Sequence, residues 1–379
     1  MQFMTRSLYL IPLLSVSLTS QAATAISKRP ARIDVIFDYV AAKQMVAVVQ
    51  KPVITPGDAE ALLRVPGIAA MVQQVATYIP EASPAMFKRE LIAFPVDRSK
   101  RTPFGLRIAY ANRAEVQSLL GALEGDEAAI KRRIVERVTQ YAPAVGRVTV
   151  RVVFLAGGVS DGFVVEGDNT PTFYVALDRA SGDLAGVEQN MAHELYHALQ
   201  NAAARQVPAA DSFVRNVDRK PNLEKLIARS WWEGSANFVV DARNLPAGGS
   251  YTAMWRDRYH ANLAPVRLRE NFAMFDSVAT DLANGKLTWD EAYRRGFGGD
   301  GGSRFYFVGM EMARALVATH GSDYLRQSFA RPPGAVFRDY IALTRTDRGL
   351  IPFAPDTTRL IEKLPVVYLA RDAVVPGET

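Results

Sequence analysis

The stretch 183–205, DLAGVEQNMAHELYHALQNAAAR, decides how the rest of the chain is read. Apolar Leu184, Val187, Met191, Leu195 and Leu199 recur at three- to four-residue steps, the period of one helix face. The pattern predicts a helix that opens at Asp183 and stops before Pro208. Inside it stands His193-Glu194-Leu195-Tyr196-His197. Two histidines four apart rise on one face, about one turn from each other. Their imidazole nitrogens can converge on one zinc ion, and Glu194 beside the first can take a proton from a zinc-bound water. Only four histidines occur in 379 residues, too few for this arrangement to be expected by chance.

Working outward, the character of the chain changes at Gly146. Residues 148–155 (VTVRVVFL) are rich in β-branched side chains and predict a buried strand, ended by Gly157-Gly158. Stretches 163–166 and 172–177 (TFYVAL) predict two more strands, separated by the turn-forming Gly167-Asp168-Asn169. After the motif helix, a second long helix is expected over 223–244, before Pro246 and Gly248-Gly249. Beyond it lie a glycine-rich segment at 296–302 and helices near 304–319 and 322–329.

Toward the N-terminus, 32–37 alternates as a strand does and 39–50 reads as a helix. Thr55-Pro56-Gly57-Asp58 offers an N-cap, a proline at the first helical position and an acid at the third, opening a helix to about Arg64. Further helices are expected at 67–78, 84–93, 112–122 and 126–141. The fold class is thus α+β, mostly helical with a small, mainly antiparallel sheet. Four segments are expected: a signal peptide (1–25), a helical N-terminal region (26–145), a catalytic core (146–245) and a helical C-terminal lobe (246–379). The active site should lie between the sheet and that lobe.

Composition narrows the setting. At 49% hydrophobic residues the chain can bury a large core. Arg6, a short apolar run from Leu8 to Leu18 broken by Pro12 and Ser15, and then small residues follow the layout of a secretory signal peptide. Cleavage is expected after Ala22 (Ser20-Gln21-Ala22) or Ala25 (Ala23-Thr24-Ala25). The apolar run is too short to span a bilayer, so no stable membrane insertion is expected after cleavage. With no cysteine, the chain is neither a lipid-anchored lipoprotein nor a disulfide scaffold, and a cysteine-ligated zinc site is excluded. Export without disulfides fits a bacterial periplasmic or secreted protein. The net charge of +6 is scattered, with small clusters at 98–101 and 131–133 that read as solvated faces. No basic patch with stacking aromatics calls for a nucleic-acid partner.

A catalytic zinc site needs three protein ligands and an open position. His260 and His320 are possible third ligands, but a carboxylate on the next helix is the better candidate. In Trp231-Trp232-Glu233-Gly234-Ser235-Ala236-Asn237, Glu233 is followed by three small residues. Glycine costs about 1 kcal/mol against alanine inside a helix. Its place here points to close packing against a neighbour, as carrying a short carboxylate up to a metal requires. Asn237 falls one turn later on the same face, placed to hydrogen-bond a ligand histidine's other ring nitrogen. Asp241, a further turn on, is a weaker candidate for the same work.

A helix with His-Glu-x-x-His followed by one with Glu-Gly-x-Ala resembles the gluzincin clan, the thermolysin-like zinc peptidases. The likeness is to a divergent bacterial branch of zinc-dependent peptidases rather than to thermolysin itself. Tyr306-Phe307-Val308-Gly309 resembles that group's Tyr-x-x-Gly helix, and Ile36-Phe37-Asp38-Tyr39 its N-terminal start. The resemblance implies a zinc site at His193, His197 and Glu233, with Glu194 as general base; the substrate is expected from the chemistry to be a peptide or protein. The resemblance makes Tyr306 the first choice for the oxyanion donor; His260 is the second, and Arg304, two residues before Tyr306, could instead bind a substrate carboxylate. The resemblance also implies that the strand at 172–177 is the edge strand lining the cleft, where an extended peptide could add. The glycine-rich segment is no phosphate loop, lacking the Gly-Lys-Ser/Thr ending. Two other readings stay open: a zinc hydrolase of another amide or ester, such as cell-wall peptides, and a non-catalytic, metal-stabilised binding protein. Glu194 speaks against the second, because a purely structural site needs no base and closes its fourth position.

Overall fold

The computed structural model describes residues 31–143, 145–164, 171–298 and 303–368. The signal-peptide segment, the turn at Gly167-Asp168-Asn169 and residues 299–302 of the glycine-rich segment lie outside the described residues. A first strand, β1 (Arg32–Asp38), is followed by seven helices, then by β2 (Arg147–Leu155), β3 (Gly162–Val164) and β4 (Thr172–Ala176). Ten more described helices complete the chain. The fold is α+β and mostly helical, as expected. Among the described residues, no helix is long and apolar enough to cross a membrane.

The local signals act where they stand. Thr55 caps the helix Pro56–Leu63, its hydroxyl accepting from the Asp58 amide while the Asp58 carboxylate accepts from the Thr55 amide. Asp183 caps the motif helix, Leu184–Arg205, by accepting from the Gly186 amide. The second long helix is shorter than its hydrophobic pattern, running only over Asn222–Val239. A separate 3₁₀ turn, Ala242–Asn244, follows it, with Asp241 as its cap.

The sheet is mixed rather than mainly antiparallel. Its order is β1-β2-β4-β3. β1 pairs with β2 and β2 with β4 in parallel, and only β3 runs antiparallel, against β4. Seven helices between β1 and β2 return the chain to the same end of the sheet, which dictates a parallel pair. β3 then steps outward and β4 slots between it and β2, so closeness in sequence does not give a meander. One consequence bears on the site. The strand at 172–177 was expected at the edge, but β4 is interior and wholly buried, and the edge belongs to β3. One main cluster of buried side chains runs from Phe37 to Ile361, tying the sheet to helices on either side of it in sequence.

Candidate metal centre

The site is assembled at the crossing of three helices and the β3 edge. His193 and His197 project from the motif helix and Glu233 from the helix Asn222–Val239. A third helix, Arg304–His320, crosses the Glu233 helix at two glycines. A Cβ on Gly234 would lie 2.3 Å from the Gly309 backbone, and one on Gly309 would lie 1.9 Å from the Ser230 carbonyl oxygen. Only glycine permits this backbone-to-backbone approach. The crossing brings Tyr306, one turn before Gly309, into the same cleft as Glu233.

The three donor atoms converge. His197 Nε2 is 3.0 Å from His193 Nε2 and 3.2 Å from Glu233 Oε2, and His193 Nε2 is 3.4 Å from the same oxygen. Ligands at about 2.0–2.1 Å from one tetrahedral zinc lie ~3.3 Å apart, so this two-histidine, one-carboxylate set fits zinc with a fourth position open to the cleft. It is the one cluster of three or more such side chains found among the described residues that could hold a metal ion. In the metal-free cluster, burial alone would lower the His197 imidazole, but the Glu233 carboxylate outweighs it and raises the group to about 9. Burial opposes ionisation of Glu233, yet the two histidines hold its carboxyl well below the usual carboxylate range.

His197 is tethered by a hydrogen-bond relay. Its Nδ1–H donates to Gln200 Oε1 at 2.7 Å. The Gln200 amide in turn donates to the Trp232 carbonyl at 3.0 Å and to Ser235 Oγ at 2.9 Å. Gln200 therefore leaves the His197 Nε2 lone pair facing the other ligands and locks the motif helix to the Glu233 helix. Sequence reasoning missed it. Its only signal was a buried-side polar residue one turn after His197. Asn237, expected in this role, hydrogen-bonds neither histidine. Its Oδ1 and His193 Nδ1 are both buried without a partner. Asp241 is likewise elsewhere: the Glu233 helix ends before it, and it holds Arg243 at 2.6 Å.

The cleft has a volume of about 640 Å³ and takes in His193, Glu194, His197, Glu233 and Tyr306. Glu194 packs against the β3 edge, where a Cβ on Gly162 would be 3.1 Å from Glu194 Oε1. Asn190, one turn before Glu194, fastens that edge by donating to the Asp161 carbonyl at 3.2 Å. Burial pushes the Glu194 carboxyl up, partly offset by the two histidines. Burial and the nearby Glu233 charge push the Tyr306 hydroxyl up as well, keeping it a protonated donor. The N-terminal helices supply one wall through Tyr78, and Gln74 fastens the approach to β3 by donating to Ser160 Oγ at 2.9 Å.

With these residues in place, the chain can be set beside known proteins. Residues 59–349 match the model of a family described as "putative zinc dependent peptidase (DUF5700)", well over half of the chain. The chain belongs to this family. No curated protein and no solved structure matches it. The zinc-dependent peptidase match spans all three helices of the metal centre.

Three of the remaining candidates fall outside the cleft. His260 and His320 are both exposed, and His320 stacks on Tyr324 at 5.3 Å between ring centroids. Neither stands in the cluster with His193 and His197, whereas Glu233 does, and His260 does not line the cleft. Arg304 does not line the cleft either, whereas Arg229, Arg258 and Arg331 do. Trp231 is fully buried, and both it and Trp232 border the cleft.

Proposed function

We propose that this protein is an exported zinc metallopeptidase of the gluzincin type. The observation that carries the reading is the convergence of His193, His197 and Glu233 at tetrahedral-ligand spacing, with Glu194 beside them on the open side of a cleft. His193, His197 and Glu233 would hold the zinc, which when bound would supply a Lewis acid that acidifies a water in the open position. Glu194 takes the proton from that water and delivers it to the leaving amine, a task that its burial suits by raising its pKa toward neutrality. The Tyr306 hydroxyl donates to the developing oxyanion. Gln200 holds the His197 tautomer in which Nε2 is the ligand atom. The β3 edge, kept slim beside Glu194 by Gly162, receives an extended peptide through backbone hydrogen bonds. The layout of residues 1–25 supports export to the periplasm or medium.

The test pairs metal with turnover. Zinc content is measured on purified protein, and a peptide library is digested by wild type and by Glu194→Gln. About one zinc per chain, with cleavage abolished in a variant that keeps its zinc, supports the proposal. Stoichiometric zinc without cleavage of any peptide by wild type overturns the peptidase assignment, and unchanged cleavage by Glu194→Gln overturns the base.

A further inference from the structure

Three arginines line the cleft, and their surroundings differ. Arg229 is paired with Asp218 at 2.9 Å, and Arg331 with Asp339 at 2.7 Å. Arg258 makes no ion pair and no side-chain hydrogen bond to any described residue. Its guanidinium lies 5.4 Å from the centroid of the Trp255 ring. That ring in turn sits 6.2 Å from the His193 ring. Both Trp255 and Arg258 stand on the helix Ser250–Leu263, which flanks the His193 side of the metal centre.

None of the acids that line the cleft among the described residues forms an ion pair with this cation. Glu194 and Glu233 belong to the histidine cluster, and Asp161 faces Arg179 at 3.9 Å. Arg258 is half-buried, and arginine is seldom withdrawn from water without a partner. The indole face attracts the guanidinium by a cation–π contact. That leaves its hydrogen-bonding edge for a planar anion, and a carboxylate matches that edge with two parallel bonds.

We infer that Arg258 receives a carboxylate of the substrate, so that the enzyme selects peptides carrying a negative charge on the His193 side of the cleaved bond. The inference rests on the peptidase reading and names the substrate class for the same site. The two ring distances place the guanidinium at most about 12 Å from His193, the reach of roughly three extended residues. The carboxylate is therefore either the free C-terminus of a peptide cut near its end or an acidic side chain a few residues from the bond. The chemistry is shared, and the choice between the two sources falls to experiment.

Matched peptides separate them. One pair differs only in a free or amidated C-terminus, the other only in Glu or Gln beside the cleaved bond. Wild type is expected to favour the charged member of at least one pair by roughly ten- to a hundredfold in kcat/KM. Arg258→Gln should bring that preference close to unity, through KM rather than kcat, and melt at the wild-type temperature. Arg258→Lys should restore part of the preference. A second measurement needs no turnover: calorimetric binding of acetyl-Ala-Ala, its amide and acetyl-Glu-amide to zinc-free wild type and Arg258→Gln. Tighter binding of a carboxylate by wild type, lost in Arg258→Gln, supports the inference even where no peptide is cleaved, an outcome that would sink the peptidase reading alone. Equal cleavage and equal binding of charged and neutral members, or a preference that survives in Arg258→Gln, overturns it.

Discussion

His193 and His197 are the same residue four positions apart on one helix, yet the structure holds them by different means. His197 is fixed by a relay through Gln200 to Trp232 and Ser235 on the Glu233 helix. His193 has no such tether. Its Nδ1 is buried without a hydrogen-bond partner, and its ring is confined by the neighbouring His197 and Trp255 rings, at 4.7 and 6.2 Å. One ligand is positioned by directional hydrogen bonds and the other by packing. Packing resists displacement but not rotation or a change of tautomer, so the two ligands should respond differently to mutation.

The largest effect should come from removing what both histidines share. A zinc site worth about 10–16 kcal/mol over four positions assigns ~2.5–4 kcal/mol to each ligand. Glu233→Ala should therefore weaken zinc binding by at least about a hundredfold in a chelator competition. Zinc retained at full affinity would remove Glu233 from the ligand set. Next is the helix crossing that carries Glu233. Gly234→Ala forces a Cβ into the Gly309 backbone at 2.3 Å and should cost about 3 kcal/mol in thermal unfolding. An unshifted Tm would show that the two helices can part cheaply.

The asymmetry itself is tested by a pair of variants. Gln200→Ala should lose roughly ten- to a hundredfold in zinc affinity, the usual cost of removing a partner that orients a ligand. Asn237→Ala should lose less than about threefold, having no hydrogen bond to either ring. Equal losses would erase the distinction between the tethered and the packed histidine.

Acidity gives a smaller, graded effect. Burial lowers the His197 imidazole in the metal-free protein, but the charge and hydrogen bond of Glu233, with help from Glu194 and Gln200, together raise it to about 9, above the ordinary 6.5. Its pairing therefore stabilises the metal-free fold fully below about pH 6.5, and this is lost as pH rises through about 9. Zinc must displace that proton, so the sign reverses for binding. Apparent zinc affinity should climb about tenfold per pH unit between pH 7 and 9, with close to one proton released per zinc. Calorimetry in buffers of different ionisation enthalpy counts that proton, and a count of zero at pH 7 would mean that His197 is already neutral.

Much of this was legible before folding. Thr55 and Asp183 announce their helices, because capping is a contact between residues three apart. Glu233 was legible because a glycine inside a helical pattern signals close approach. Gln200 was not, since its importance comes from Trp232 and Ser235 on another helix, more than thirty residues away. Asp241 misled for a similar reason: the helical period continues past Val239 in the sequence, but the helix does not. The sheet misled through chain proximity, since β2, β3 and β4 are close neighbours in sequence while β4 pairs with β2 in parallel.

The sequence by itself determined the helical frame, the spacing that sets two imidazoles on one face, and the carboxylate and glycine that approach them. These follow from local periodicity and steric size, which act over a few residues. The tertiary structure alone decided which strand borders the cleft, that Gln200 holds His197, and that Arg258 has no acidic partner among the described residues. Each depends on which distant elements come to lie side by side, and no local rule carries that information.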